Sequence, residues 1–345
     1  MLVRHRSSLS ATPSQRGDTV QVFDCQSHVF PREYAELLTR NSGPVRARRI
    51  GDDYQIVYDD VVEFRLSPEV YDPRKKLADM DRAGVDVALL SINIPGPELL
   101  DAELRLEAAQ CCNDYIADVV SRFSDRFVGL AVIPWQDEEA AGREMVRAVT
   151  QLGLRGVVLY SHLAGAPVDS PTFEPLLAAA AQDRIPVVLH PTYPVWSSTI
   201  RDYSMVPMLG MMVDTSIAML RLILGGILER YPQLTIVHPH CGGVLPYLMP
   251  RVVEQTEVKG RGRERISRSP DQYYKRVYLD LVSPSTRAMQ YAIDFAGLNH
   301  CLFGSDHPWV RIESLLECVA GLQLDPQDRD KILYRNACRV FSVAT

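Results

Sequence analysis

Ile236-Val237-His238-Pro239-His240-Cys241-Gly242-Gly243 decides the reading of this chain, taken with Leu189-His190-Pro191 before it and Gly304-Ser305-Asp306-His307-Pro308 after it. In each stretch a short apolar run ends in His or Asp, and Gly or Pro then turns the chain. Ionisable groups therefore sit where strands stop. A buried strand gives its aliphatic residues to a core, whereas the first residues beyond it can face a cavity at the sheet's edge. A fourth ending of this kind lies near the start, where Val20-Gln21-Val22-Phe23-Asp24-Cys25 runs into Gln26-Ser27-His28.

Outward from these endings, strands and helices alternate. Strands are predicted over residues 20–25, 85–90, 127–133, 156–160, 187–190, 234–238, 277–281 and 301–304, each followed by a helical pattern. Eight such units predict an α/β fold of the (β/α)8 TIM-barrel type rather than an open doubly wound sheet. No glycine-rich dinucleotide or P-loop fingerprint follows an early strand, so those readings lose their support. Two strand-like runs, 54–58 and 61–66, flank Asp59-Asp60 and predict a hairpin-like excursion inserted after strand 1, within about residues 41–72. In a barrel the C-terminal strand ends share one face, which makes neighbours of His28, His190, His240 and Asp306.

The totals fit one large domain over residues 20–345: the chain has 345 residues, 46% of them hydrophobic and 23% charged. A formal charge of -6 disfavours a nucleic-acid surface. Seven cysteines without CxxC spacing read as reduced thiols of a cytoplasmic protein. The longest apolar run, 205–228, is broken by Pro207, Asp214, Arg221 and glycines, so a membrane span is not expected. Residues 1–19 are rich in Arg and Ser, superficially like an organelle transit peptide, and a disordered tail is the simpler expectation.

Imidazole nitrogen and carboxylate oxygen on converging strand ends suit a divalent metal, Zn(II) first and Mn(II) where oxygen contributes more. His28, His190 and Asp306 would supply three protein ligands and leave room for water or substrate, the open coordination of a catalytic ion. His162, just past strand 4, and Trp196, in the loop after His190, are expected to line the pocket, although a loop aromatic is as often a packing lid. Arg46, Arg48 and Arg49 could clamp a carboxylate, with a solvated basic face as the commoner case.

The order of these motifs resembles the amidohydrolase superfamily, in the branch typified by aminocarboxymuconate semialdehyde decarboxylase and gamma-resorcylate decarboxylase. The likeness runs from Val20 nearly to the end of the chain, through Gln26-Ser27-His28, Leu189-His190-Pro191, His240-Cys241-Gly242-Gly243 with Leu245-Pro246 and Arg251, and Phe303-Gly304-Ser305-Asp306-His307-Pro308. It implies metal ligation by His28 and His190, metal binding and proton transfer by Asp306, and catalysis by His240. It also implies that Arg251 reaches the substrate carboxylate of a neighbouring subunit, hence a homodimer. One position departs from the pattern: Gln26 stands where the family usually has His, and Glu or Ala in some decarboxylases. An amide offers a neutral carbonyl oxygen in place of a strong nitrogen donor or a charge. That leaves three readings: a weaker or differently selected metal, Gln26 turned to substrate hydrogen bonding, or a site without metal.

The function this implies is metal-dependent, non-oxidative decarboxylation of a small aromatic or conjugated carboxylic acid. Rival readings are a hydrolase of a lactone, ester or amide, a hydratase, and a metal-free, non-catalytic ligand-binding barrel.

Overall fold

The computed structural model describes residues 20–58 and 61–344; the tail expected at residues 1–19 and the Asp59-Asp60 turn lie outside the described residues. Thirteen strands are present among the described residues, and eight of them form the barrel. In chain order, β1 (Phe23–Val29) is followed by β2 (Val45–Ile50), β3 (Asp53–Tyr58) and β4 (Val61–Arg65). Next come β5 (Val87–Ile92), β6 (Phe127–Gly129) and β7 (Val157–Tyr160), then the short ribbon of β8 (His162–Leu163) and β9 (Ala166–Pro167). The chain closes with β10 (Val187–His190), β11 (Ile236–His238), β12 (Tyr278–Asp280) and β13 (Cys301–Leu302).

Parallel pairing runs β1-β5-β6 in one arc and β7-β10-β11-β12-β13 in the other. Backbone bonds join the arcs at both ends. At one seam Val158 N–H donates to Ala131 O at 2.8 Å; at the other Cys25 N–H donates to Phe303 O at 2.9 Å and His28 N–H to His307 O at 2.8 Å. The ring is closed, as the alternation of apolar runs and amphipathic helices predicts. β7 (VVLY) and β10 (VVLH) are buried at every position, the continuous apolar reading of strands covered on both faces. Local signals set the helix ends just as directly. Asp72 caps the helix Pro73–Ala83 by accepting from Arg74 N–H, Pro73 opens it, and Gly84 at φ 78° ends it.

Strand 1 departs from its expected end at residue 25. It continues through Gln26, Ser27 and His28 to Val29, with a register shift between Asp24 and Ser27. The physical reason is that its polar side chains find buried partners. Asp24 accepts from Ser305 Oγ at 2.5 Å and from Ser305 N–H at 2.8 Å. Buried Lys76 donates to Ser27 Oγ at 2.8 Å and to His307 Nδ1 at 2.7 Å. Those contacts tie the β1–β13 seam to the helix beside it, so a polar run stays in the sheet.

The excursion holds three antiparallel strands, β2-β3-β4, one more than a hairpin. Arg46, Arg48 and Arg49 lie on the extra strand, β2, and Arg49 pairs with Glu36 at 2.6 Å on the surface rather than reaching the barrel mouth. Aromatic contacts seat this small sheet over the barrel. Phe64 meets Trp309 edge-on at 5.0 Å, and Tyr58 stacks on Tyr193 at 4.3 Å. The stretch Asp202–Leu224 is long and apolar enough to cross a bilayer, yet half of it is buried in the fold, and it walls the cavity described below.

Glu98, in the loop after β5, is 1% exposed, and its Oε1 has no hydrogen-bond partner. Burial pushes this carboxyl from 4.5 up to about 8, so the folded state keeps a proton that the unfolded chain releases. The contribution is complete below about pH 4.5 and is lost as the pH rises through about 8. Thermal melts from pH 5 to pH 9 should accordingly show wild type falling further behind Glu98→Gln as the pH rises. Parallel profiles for the two proteins would count against a buried, protonated Glu98.

Candidate metal centre and cavity

Two strands and two turns meet at the C-terminal mouth of the barrel. His28 comes from β1, His190 from the last position of β10, His240 from the turn after β11, and Asp306 from the turn after β13. Both turns have left-handed backbone at non-glycine residues: His240 at φ 56°, Cys241 at φ 55° and Asp306 at φ 60°. Such conformations persist where the surroundings hold them. Here Asp280 accepts the His240 amide at 2.6 Å, and Gln26 O accepts the Asp306 amide at 2.8 Å. Gly243, at φ 61°, lets the turn approach the start of the helix Met211–Leu224, since a Cβ there would stand 2.5 Å from Met212 O. The Cys-Gly-Gly motif is thus a packing requirement of the His240 turn.

His28 Nε2 lies 3.0 Å from Asp306 Oδ1 and 3.3 Å from His190 Nε2. His190 donates Nδ1–H to Pro191 O at 2.8 Å, which leaves its Nε2 lone pair facing His28. Burial, and then the neighbouring His28, push the His190 imidazole down to about 3, so it stays neutral. Ser91 Oγ holds His28 Nδ1 at 3.0 Å on the far side of that ring. Asp306 is ionised: burial raises its pKa, but hydrogen bonds from His240 and His28 outweigh this and hold it well below the usual carboxylate range. His240 is shifted upward, because Asp306, with Oδ2 3.6 Å from its Nε2, outweighs the effect of burial.

This donor set fits a divalent ion. Two nitrogens sharing a tetrahedral ion at about 2.0–2.1 Å stand about 3.3 Å apart, which is the His28–His190 separation. Gln26 supplies the orphaned buried atom: its Oε1 has no partner, while its Nε2 lies 3.5 Å from His240 Nε2. Among the described residues no group of three or more His, Cys, Asp or Glu side chains is spaced to hold an ion unaided. What exists is an imidazole pair with a carboxylate beside it, open toward the cavity.

The cavity encloses about 580 Å³ and is lined by His190, His240 and Asp306 at its floor. Phe64 from the excursion and Trp309 beyond β13 contribute to its walls, as do Met208, Met211 and Met212. Two expected pocket residues do not line it. His162 is held between its own loop, where Nδ1 accepts from Gly165 N–H at 3.0 Å, and the loop after β10, where Nε2 lies 2.8 Å from Tyr193 O. Trp196 is directed to Asp214, to which it hydrogen-bonds. Arg251 stands exposed on the helix Leu245–Val253, outside its own chain's cavity. Any contact it makes with substrate needs a second copy of the chain. His238 is buried behind the site, with Nδ1 2.7 Å from the Tyr274 hydroxyl.

Several contributors carried no motif in the sequence. Phe64 and the methionines are ordinary apolar residues there, and Lys76, Ser91 and Asp280 act through partners more than 40 residues away or, for Asp280, 40 residues away. Only Asp280, a carboxylate closing an apolar strand run, bears the kind of signal that singled out Asp306.

A barrel whose mouth gathers two imidazoles, a carboxylate and an acid-base histidine defines a metal-site hydrolase or lyase scaffold. The chain belongs to the family described as Amidohydrolase, whose pattern matches residues 23–343. Gamma-resorcylate decarboxylase of Rhizobium radiobacter is 29% identical over 289 residues, covering 80% of this chain and 88% of that protein. The crystal structure of 5-carboxyvanillate decarboxylase from Sphingomonas paucimobilis superimposes with a TM-score of 0.84 at 25% identity, covering 94% of this chain and 100% of the other. A 5-carboxyvanillate decarboxylase from Novosphingobium aromaticivorans, solved with manganese, shares the fold with a TM-score of 0.82 at 22% identity, over 97% of this chain and 100% of that one.

Titrating metal-free protein with Mn(II) or Zn(II) tests the ligand set directly. His190→Ala should abolish tight binding. Gln26→Glu, which adds a charge beside the ion, should tighten it by about tenfold or more. Affinity unchanged by both substitutions would remove the metal from this site.

Proposed function

We propose that this enzyme is a metal-dependent, non-oxidative carboxy-lyase acting on a small aromatic or conjugated acid. The observation that carries the reading is the pairing of His240, whose proton affinity is raised, with ionised Asp306 on the cavity floor beside the His28–His190 donor pair. His28, His190 and Asp306 would hold the ion, with Gln26 Oε1 as a neutral fourth donor. When bound, the ion supplies a Lewis acid that fixes a substrate oxygen. Two imidazoles suit Zn(II), and the oxygen donors suit Mn(II), the metal of the Novosphingobium structure.

Protonation of the carbon bearing the carboxylate is the step the residues must perform. His240 donates the proton, and Asp306 stabilises the charged imidazole and orients it. The electron pair of the breaking C–C bond returns to the ring, and CO2 departs. The apolar walls keep bulk water from the carbon, which favours this outcome over attack by water. We further propose a homodimer, in which Arg251 serves the partner's substrate, and a cytoplasmic location, in accord with seven free cysteines.

CO2 release from hydroxybenzoates and muconate-type acids, assayed beside lactone and ester opening, decides the reaction. The metal-loaded enzyme should release CO2, and His240→Ala should lower kcat by about 10²- to 10⁴-fold, the usual worth of a positioned acid. Lactone opening with no CO2 from any of these acids would replace the lyase by a hydrolase using Asp306 as base.

A further inference from the structure

Few ionisable groups line the cavity. Among the described residues its ionisable lining groups are His190, His240, Asp306 and the thiol of Cys241, and no Lys, Arg or Glu lines it. Away from the floor the walls are apolar, and the neutral polar groups Asn93 and Ser283 interrupt them. Phe64 and Trp309 make a fixed aromatic corner, their rings 5.0 Å apart at 66°. Met208, Met211 and Met212 also line the cavity, from a segment with a π-helical turn at Val206–Gly210. Unbranched thioethers fill irregular space and adapt to different shapes. About 580 Å³ is also in the size range of pockets that enclose drug-sized ligands.

We infer that the substrate carries an uncharged, apolar substituent on the side of the ring remote from its carboxylate, and that the aromatic corner and the three methionines select for it. The inference rests on the carboxy-lyase reading for the placement of the carboxylate at the cavity floor. A second carboxylate or an ammonium group on the remote side would lose hydration without gaining an opposite charge from this chain's own lining, and the partner's Arg251 is already engaged by the first carboxylate; such a loss is costly in an apolar setting. An alkyl substituent there would instead exchange water for methionine and aromatic surface. Met208, 72% exposed at the rim, places one adaptable side chain between this compartment and solvent. Since burying one methylene is worth about 0.8 kcal/mol, each added methylene should tighten binding by about fourfold.

The test uses ligands that cannot react. Metal-loaded protein is titrated calorimetrically with 2-nitrophenols carrying hydrogen, methyl, propyl or carboxylate para to the nitro group, which replaces the scissile carboxylate. Affinity should rise from hydrogen to methyl to propyl, and the carboxylate derivative should bind at least tenfold more weakly than the unsubstituted ligand. Met211→Ala should flatten the alkyl series. Met208→Lys, at an exposed position that tolerates charge, should recover binding of the carboxylate derivative. A flat alkyl series in wild type, or preference for the carboxylate derivative, overturns the inference. CO2 release from the matching 2-hydroxybenzoates is measured in parallel. No CO2 from any of them, with the alkyl preference intact, overturns the lyase reading alone. CO2 released without regard to substituent overturns the selectivity alone.

Discussion

Closure of the strand ring at the β13–β1 seam is the constraint on which the site depends. An open edge there would leave backbone N–H and C=O groups of two core strands unpaired, and it would separate His28 from Asp306. The seam is closed by backbone bonds from Cys25 and His28 to Phe303 and His307 and by buried polar side chains on either side of them. Asp24 anchors Ser305, while Lys76 links Ser27 to His307, whose other ring nitrogen meets Asp79 at 3.1 Å. A buried ammonium and a buried carboxylate are poor sources of stability in themselves, because each gives up hydration. What they fix is register: the residue after Ser305 and the residue after Ser27 are the two that face each other across the site.

The same logic explains why strain gathers at His240 and Asp306. Both take left-handed backbone, which for residues with a Cβ costs free energy that neighbouring contacts must offset. Asp280 and the Gln26 carbonyl supply those contacts by accepting the two amides. A turn held this way aims a side chain back over the strand ends instead of out along the loop. An ionised carboxylate and a histidine of raised proton affinity can then share one cavity floor, each stabilising the charged form of the other.

Gln26 sets the donor balance of this site. Where a histidine or glutamate would offer a stronger donor, the amide offers a neutral oxygen, and Asp306 is the one carboxylate directly beside the His28–His190 pair among the described residues. The apolar compartment above follows a complementary rule, since it offers no second charge to a ligand.

Much of this was legible in the chain before any coordinates. Apolar runs alternating with helical patterns marked the eight barrel strands, and the four that lead into His or Asp marked the nearness of His28, His190, His240 and Asp306, because strand period and helix alternation are local properties and barrel closure puts all C-terminal ends on one face. The inserted segment was recognisable too, though its first strand was not, since Val45–Ile50 alternates arginines with apolar residues and reads equally well as a solvated loop. Tertiary structure alone decided the rest. His162 and Trp196 find partners away from the cavity, in Gly165 and Tyr193 and in Asp214, Lys76 and Asp280 matter through contacts made far along the chain, and Phe64 and Met208 become cavity walls only because distant segments pack there. Local sequence carries propensity and pattern, whereas which polar groups are satisfied, and which are left facing a ligand, is settled by the packing of the whole ring.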